Sequence, residues 1–497
     1  MFAGLDIGST NAKFSIYSIN GRLLAEASER YPVASDEAGL TADAIWDAAQ
    51  HVMGMAYGKL PDGGHIIAMA VSAFGESLVP VDAEGKVVSN RFVCSPVPGN
   101  QELYRIMEQI PEEKIREITG VLPHRRFPLV KMLWFSQHIK SDEQPFRYMM
   151  MEDFIIYRLT GRFAVSESSA ARSMAYDYKK HCWSRELLEL IGVGTGQLSE
   201  ILPSGGFVGV ILPEVCKRLG VRGGVKVYSG GHDQMCNAVG AGLCEYGKMV
   251  NCSGTVECIS GLFRLEQAEQ VMGSIPLQLA TYPQHPDSCF SFWAPVAGCS
   301  SLDWCLRLTA GCGPMNDREM VQRHIAMQAL CSDSPSSLLA APYLTGRNYP
   351  DFSGEARAFV YGLGLQTKPQ ELYQSIMEGI VFELKLCMER FGVLAEGKQE
   401  IVAVGGGAAS DYWLQMKADI MGMTVVRPEH RQSGTMGAML LAAVGEGYYH
   451  DLTEAAGVCV KANGVFYPEQ QRGRLYEEKF YRYCKFRNNL FPQIGVL

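Results

Sequence analysis

The chain opens on two short apolar runs, MFAGLDIG and AKFSIYSI, separated by the small or polar residues Gly8, Ser9, Thr10 and Asn11. Runs of this length bounded by turn residues predict strands. NGR at 20–22 supplies the next turn into LLAEASE, so the segment reads as a β-meander with a small polar loop at its first bend. From Thr41 the period changes: Ile45, Ala49, Val52, Met53 and Ala56 fall on one helical face, with Thr41 as cap. A longer helix is predicted from Pro369 through Leu372, Ile376, Ile380, Leu384, Cys387 and Phe391, stopping at Gly392. Short strand-like runs alternating with such helices predict an α/β protein.

The layout echoes itself. LDIGSTNAKFSIYSINGR near the start and MVNCSGTVECISGLFRLE at 249–266 share one order: apolar run, Gly/Ser/Thr loop, apolar run. Two related halves of this kind would set two polar loops face to face across a cleft. Composition shifts at LCEYGK, which divides the chain into a first domain over 1–243 and a second over 244–445, with 446–497 as a helical extension.

Bulk properties narrow the partners. At 497 residues the chain is too long for one core. A net charge of −8 without any Lys/Arg run argues against nucleic acid or an anionic membrane, and leaves small molecules. The 15 cysteines form no C-x-x-C pair and many lie in apolar segments, the pattern of free thiols in a reducing cytoplasm. With no leader-like start and no apolar run of about 18 residues, the expectation is a soluble cytoplasmic protein.

Three loops have phosphate-binding chemistry, because Gly, Ser and Thr let backbone N–H groups approach an anion. DIGSTNAK (6–13) adds Lys13 to offset charge and Asp6 to hold a magnesium ion through water. CSGT (252–255) has the same character. IVAVGGGAASDYWLQMKADIMG is a strand, three glycines and a helix capped by Ser410 that buries Trp413, Met416 and Ile420. A fourth stretch, YSGGHDQMCNAVGAG (228–242), reads as a strand end, two glycines and a helix opening on His232, Asp233 and Gln234. The plain reading of Asp233 is an N-cap. The triple glycine also approximates G-x-G-x-x-A/G, with Glu429 about 20 residues on, as in an NAD(P)-dependent oxidoreductase. No full mononucleotide-binding half stands behind it. Gly242 to Lys248 copies a P-loop but puts Met249 where a Ser/Thr belongs.

In this order the segments resemble the FGGY carbohydrate kinase family, from about residue 3 to 445. DFIIYRLTGRFAVSESSAARSMAYD and APYLTGRNYPDFSGEARAFVYGL are similar to two further family stretches. The resemblance implies two ribonuclease-H-like domains of actin/hexokinase type around a nucleotide cleft, and ATP-dependent phosphorylation of a primary hydroxyl of a small sugar, ketose or polyol. Asp233 would orient or deprotonate the attacking hydroxyl; at a helix N-terminus it is expected to be held ionised rather than strongly basic. Asp6 would help hold the Mg²⁺ that accompanies ATP. Ser9, Thr10, Asn11 and Lys13 would contact phosphates, Ser253, Gly254 and Thr255 would clamp from the second domain, and Gly406, Gly407 and Ala408 would pass under the adenosine.

By the same resemblance the sugar would meet Glu76, Ser77, Asp233 and Gln234. SAFGESLVPVD puts Glu76 where glycerol kinases carry a substrate-binding Glu and xylulokinases a His, with its carboxylate accepting from two substrate hydroxyls. Gly75 would leave room for an acceptor longer than glycerol. Two departures stand out. FVCSPVPGN lacks the W-x-D-x-R pattern, and GRNYP (346–350) lacks the acid of G-E-R-x-P, which keeps a catalytically weak sugar-binding sensor as an alternative beside the oxidoreductase. The sugar, the hydroxyl phosphorylated and the oligomeric state, a homodimer included, stay open.

Overall fold

A computed structural model describes residues 1–490 apart from 32–39, 62–63, 95–99, 140–144, 273–276, 278, 284, 286, 311–316, 349–353 and 396. Its first sheet holds β1 (Phe2–Ile7), β2 (Asn11–Tyr17), β3 (Leu23–Arg30), β4 (Ala68–Ala73), β5 (Phe207–Val210) and β6 (Lys226–His232), in the order β5-β6-β4-β1-β2-β3. The predicted meander forms: β1, β2 and β3 are antiparallel, and Gly21 takes φ 77° at the NGR turn. β4 and β6 then add in parallel with β1. β1 and β4 are buried at every position, as strands covered on both faces are. Helix α1 (Ala42–Tyr57) covers one face with the predicted residues inward, and the Thr41 side chain accepts from the Ala44 N–H.

The second sheet holds β7 (Lys248–Ser253), β8 (Val256–Arg264), β9 (Ala280–Thr281), β10 (Ser288–Ala297), β11 (Glu400–Val404), β12 (Thr424–Pro428) and β13 (Ala462–Phe466), in the order β9-β10-β8-β7-β11-β12-β13. β7, β8 and β10 are antiparallel, β11 and β12 run parallel to β7, and β13 closes antiparallel. This is the pairing pattern of β1, β2, β3, β4, β6 and β5, so the echo in the sequence is a structural repeat. β13 is an edge strand of the second sheet, which gives residues beyond 445 a place inside that lobe.

The lobes are joined by two helices, α2 (Asp233–Gly240) and a later one, Ser433–Gly445, that leaves the second lobe and lies across β1, β4 and β6. Contact between them needs glycine: a Cβ on Gly240 would stand 1.9 Å from the Ser433 carbonyl, and one on Gly437 1.9 Å from that of Cys236. Thr435 anchors this second helix by donating to Ser15 Oγ at 3.0 Å. One core therefore runs from Phe2 and Ala70 of the first sheet to Val250 and Ile259 of the second. Helix α3 (Pro369–Phe391) has the predicted limits, with Pro at its start and Gly392 after its end. It packs on α4 (Asp411–Met421); the connecting helix Ser433–Gly445 is α5. Every described cysteine is free, and no described helix is long and apolar enough to cross a membrane.

Candidate active site

β1, β4 and β6 run parallel and end at one level, and just beyond or at those ends stand Asp6, Glu76 and Asp233. Carboxyl ends of parallel strands are where α/β sheets meet ligands, because loops and helix starts diverge there. Asp6 lies opposite Lys13 in the β1–β2 register and accepts from Ser72 Oγ at 2.7 Å. Burial raises its pKa, while Lys13 and Ser72 act in the other direction. Gly434, at the start of α5, packs so closely that a Cβ there would stand 2.7 Å from the Asp6 carboxyl carbon.

β6 is bulged at Gly230, whose N–H donates to buried Glu152 at 3.1 Å. Burial pushes Glu152 up to about 7 despite hydrogen bonds from Ser166. The bulge re-aims the strand end, the usual use of an extra residue, and delivers His232 and Asp233 to the cleft. The cap of α2 is His232, whose Nδ1 accepts from the Gln234 N–H at 3.3 Å. Asp233 is therefore not the cap; it is the first helical residue. With Nδ1 accepting, the ring hydrogen sits on Nε2, which stands 3.3 Å from Asp233 Oδ1. Burial and Arg172 hold His232 down at about 3, so it is neutral.

Asp233 departs from the expectation of a carboxylate kept ionised by its helix. Burial first, then the charges of Asp6 and Glu76, push it up to about 7. A helix terminus is worth about 0.3–1 kcal/mol to a nearby charge, less than lost hydration and two like charges together. Gln234 is half-buried beside it in the first turn.

Glu76 sits at φ 56°, a left-handed conformation that is strained for a long side chain. Its Oε1 accepts from both Nε (3.0 Å) and a terminal nitrogen of Arg172, a residue 96 positions away. Burial would raise Glu76, but the charge of Arg172 foremost, with that of Arg126, wins and holds it at about 2. One carboxylate oxygen is thus committed to Arg172, and Oε2, with two lone pairs, is the one left to accept from a ligand. Gly75 leaves no spare room: the His232 ring occupies that space, 2.6 Å from where a Cβ would be. Ser77, expected at the sugar, is buried and its Oγ accepts from the Met151 N–H at 2.8 Å, so its hydroxyl is engaged within the fold.

The first phosphate loop is a tight turn closed by the Gly8 N–H donating to the Asn11 carbonyl at 2.9 Å, with Ser9 and Thr10 exposed and Asn11 and Lys13 half-buried. In the second loop Thr255 is exposed and Gly254 half-buried. Ser253 is different: its hydroxyl donates to Glu257 at 2.9 Å and accepts from Lys417 at 2.5 Å, wholly inside the protein. That hydroxyl is not available to a phosphate. Lys417 also donates to Asn251 (2.5 Å) and Glu257 (2.7 Å), and so ties the second loop to α4 behind the triple glycine.

At the triple glycine, Gly405 takes φ 85°. A Cβ on Gly406 would meet nothing within 4 Å, whereas one on Gly407 would stand 2.6 Å from Ser253 and from the Trp413 ring. Gly407 and Ala408 are buried and face inward, whereas Gly405 and Gly406 are exposed, and of these two only Gly406 has open space where a Cβ would stand. Glu429 does not serve this loop: it lines a separate cavity with Tyr17 and Arg22. The two lobes approach at Cys252, where burial, Glu257 and Asp233 together push the thiol up to about 12 against Lys13. Of the two departures in the sequence, residues 95–99 and Tyr349–Pro350 lie outside the described residues.

Four side chains that shape the site had weak sequence signals. His232 sits inside a recognised stretch and Glu152 just before one, neither with a distinguishing pattern. Lys417 does leave one, since it falls on the buried face of α4 with Trp413, Met416 and Ile420. Arg172 stands in a run of small residues, and nothing local announces Glu76 as its partner.

Residues 1–240 match the N-terminal domain, and residues 251–446 the C-terminal domain, of the FGGY family of carbohydrate kinases. The chain is 28% identical over 488 residues to the xylulose kinase of Bacillus subtilis (strain 168), covering 96% of this chain and 94% of that protein. Among solved structures it is similar to gluconate kinase from Lactobacillus acidophilus, with a TM-score of 0.84 at 24% identity over 99% of this chain and 98% of the other. It is similar also to Plasmodium falciparum glycerol kinase with ADP, with a TM-score of 0.83 at 15% identity over 100% and 98%. The fold is the two-lobed actin/hexokinase type.

Proposed function

Because this chain belongs to the FGGY family of carbohydrate kinases and so phosphorylates a sugar with ATP, we propose that Asp233 takes the proton from a primary hydroxyl of a small sugar, ketose or polyol bound beside Glu76. The observation that carries this reading is a carboxyl group at the cleft, 3.3 Å from a neutral imidazole N–H and pushed up to about 7. A base poised near neutrality can accept a proton and still be ionised before the reaction. As the hydroxyl oxygen bonds to the γ-phosphorus, its proton passes to Asp233, and the bond to the β–γ bridging oxygen breaks with its electrons leaving on ADP. The transition state is loose, so positioning does most of the work. His232 stands beside the carboxylate, Ser9, Thr10, Asn11 and Lys13 meet the phosphates from the first lobe, Gly254 and Thr255 from the second, and Gly406 lies under the adenosine. The xylulose, gluconate and glycerol named for the relatives all carry a primary hydroxyl on a short chain, which supports such an acceptor.

The residues fit a magnesium ion. Among the described residues no cluster of three His, Cys, Asp or Glu forms a cage, but Asp6 is a buried carboxylate whose charge raises the pKa of Asp233. Mg²⁺ takes one or two carboxylates and completes its shell with phosphates and water; held at Asp6, it would neutralise charge on the transferred group. Closure of the lobes about α2 and α5 would exclude water as a competing acceptor. The oxidoreductase reading has no support, since the glycine strand belongs to a sheet that continues as an antiparallel meander. A screen of sugars and polyols for ADP release tests the reading; ATP binding without any turnover would favour the sensor.

Two variants test the assignments beside it. Gly406→Val raises the KM for ATP by roughly ten- to a hundredfold with an unchanged Tm, whereas Gly407→Val lowers stability by about 1–3 kcal/mol through overpacking against Ser253 and Trp413. A reversed pattern in steady-state kinetics and thermal unfolding would reassign the loop. Glu76→Gln leaves Arg172 without its counter-charge and mismatches a buried polar pair, at a cost of about 1–3 kcal/mol. The sugar KM then rises roughly ten- to a hundredfold at constant KM for ATP; a parallel rise for both substrates would place Glu76 outside the sugar site.

A further inference from the structure

Glu76 lines a cavity of about 470 Å³ built wholly from the first lobe, together with Ser9, His124, Arg125, Arg126 and Lys131. Neither the second phosphate loop nor the triple glycine contributes to it, so it is the acceptor side of the cleft. Its charge is unbalanced. Arg125, Arg126, Lys131 and nearby Arg172 meet one acid, Glu76, whose Oε1 Arg172 already holds. Lys131 is buried and donates to the carbonyls of Glu76 and Phe92.

Arg126 is different. Its backbone N–H (3.1 Å) and its Nε (3.2 Å) both converge on His124 Nδ1, which aims the guanidinium and leaves its two terminal nitrogens without a partner among the described residues. No carboxylate lies within 4.0 Å of Arg126 or Arg125 among those residues. His124 can play this accepting role because burial, Arg126 and Arg125 hold it neutral, at about 4. A guanidinium with its fork open and its orientation preset is matched to a planar or tetrahedral oxyanion. A neutral sugar would cover these cations and supply no counter-charge, which is unfavourable for a desolvated ion.

Resting on the sugar-kinase reading above, we infer that the acceptor carries an anionic group, a carboxylate or a phosphate, remote from the hydroxyl that is phosphorylated and bound by Arg126 with Arg125 and Lys131 around it. The position accounts for the excess of cations without the second phosphate loop or the triple glycine, and of the first phosphate loop only Ser9 lines the cavity. A carboxylate would make the substrate a sugar acid; a phosphate would make it a sugar monophosphate. The chemistry shared by both is an oxyanion at the far end of a chain that ends in a primary alcohol.

The full-length protein, assayed for ADP release with D-gluconate and D-xylonate, with D-fructose 1-phosphate, and with D-xylulose and glycerol, tests this. The expected result is a kcat/KM at least about tenfold higher for one anionic class than for the neutral acceptors; which class leads identifies the oxyanion. Arg126→Gln should raise the KM of the anionic acceptor roughly ten- to a hundredfold and bring the preference to within threefold, with the KM for ATP and the Tm unchanged. Arg126→Lys, which keeps the charge and loses the fork, should fall between. Preference for neutral acceptors overturns the inference and leaves the kinase reading standing. A rise in the KM for ATP in Arg126→Gln reassigns the arginine to the nucleotide and overturns it too. Turnover of none of these acceptors overturns the inference, while the kinase reading is decided separately by the wider screen of sugars and polyols.

Discussion

Asp233→Asn lowers kcat by about a hundredfold or more, the range for loss of a positioned proton acceptor, while sugar and ATP affinities persist. Folding should survive, because the cap of α2 is the His232 imidazole and does not involve the altered group. The parent enzyme has a matching pH signature: kcat/KM rises with pH until about 7 and then levels, since the carboxyl must be ionised to accept a proton. Linkage supplies a second readout. The folded-state pKa lies above the ordinary value of 3.8, so the folded protein binds this proton more tightly than the unfolded chain does. Ionising Asp233 therefore costs stability as pH rises above the unfolded value, and the cost is complete above about 7. At pH 8 the Asn variant should melt no lower than the parent. Turnover within threefold of the parent, or a fall in Tm, would remove Asp233 from the reaction.

Lys417→Met is expected to destabilise the protein by about 3–5 kcal/mol, the cost of breaking a buried pair from one side. The Lys417 and Glu257 side chains are 2% and 0% exposed, and Glu257 Oε2 already has no hydrogen-bond partner. Removing the ammonium leaves a carboxylate with no water and no counter-charge, and also frees Asn251 and Ser253 at the base of the second phosphate loop. Replacing both members, Lys417→Met with Glu257→Leu, should recover most of the loss, since an apolar pair of similar volume avoids the charge altogether. Chemical denaturation decides: a single variant within about 1 kcal/mol of the parent would mean that the pair is not what holds this loop. The KM for ATP should rise in the single variant, because Gly254 and Thr255 hang from the strand that Lys417 secures.

What the amino-acid order determined by itself is the part written in contiguous residues. Phosphate loops need small residues so that backbone N–H groups can approach an anion, and such runs stand in the sequence at Gly8–Asn11, Ser253–Thr255 and Gly405–Gly407. The apolar runs on either side set the strands, and the repetition of one layout at 5–22 and 249–266 pointed to two related halves, which are the two sheets of like pairing. Tertiary structure alone decided the electrostatics. Asp233 is basic because packing buries it and the strand ends carrying Asp6 and Glu76 converge on it. Glu76 is acidic because Arg172 reaches it across 96 residues, and Ser253 is taken by a lysine 164 residues away. Gly75 reads as spare volume in the sequence, but the His232 ring fills that space, and α5 belongs by sequence to one lobe while it covers the sheet of the other. Local backbone requirements act between neighbours in the chain and can be read there; a pKa, a filled space or a committed hydrogen bond sums over whatever packing brings near.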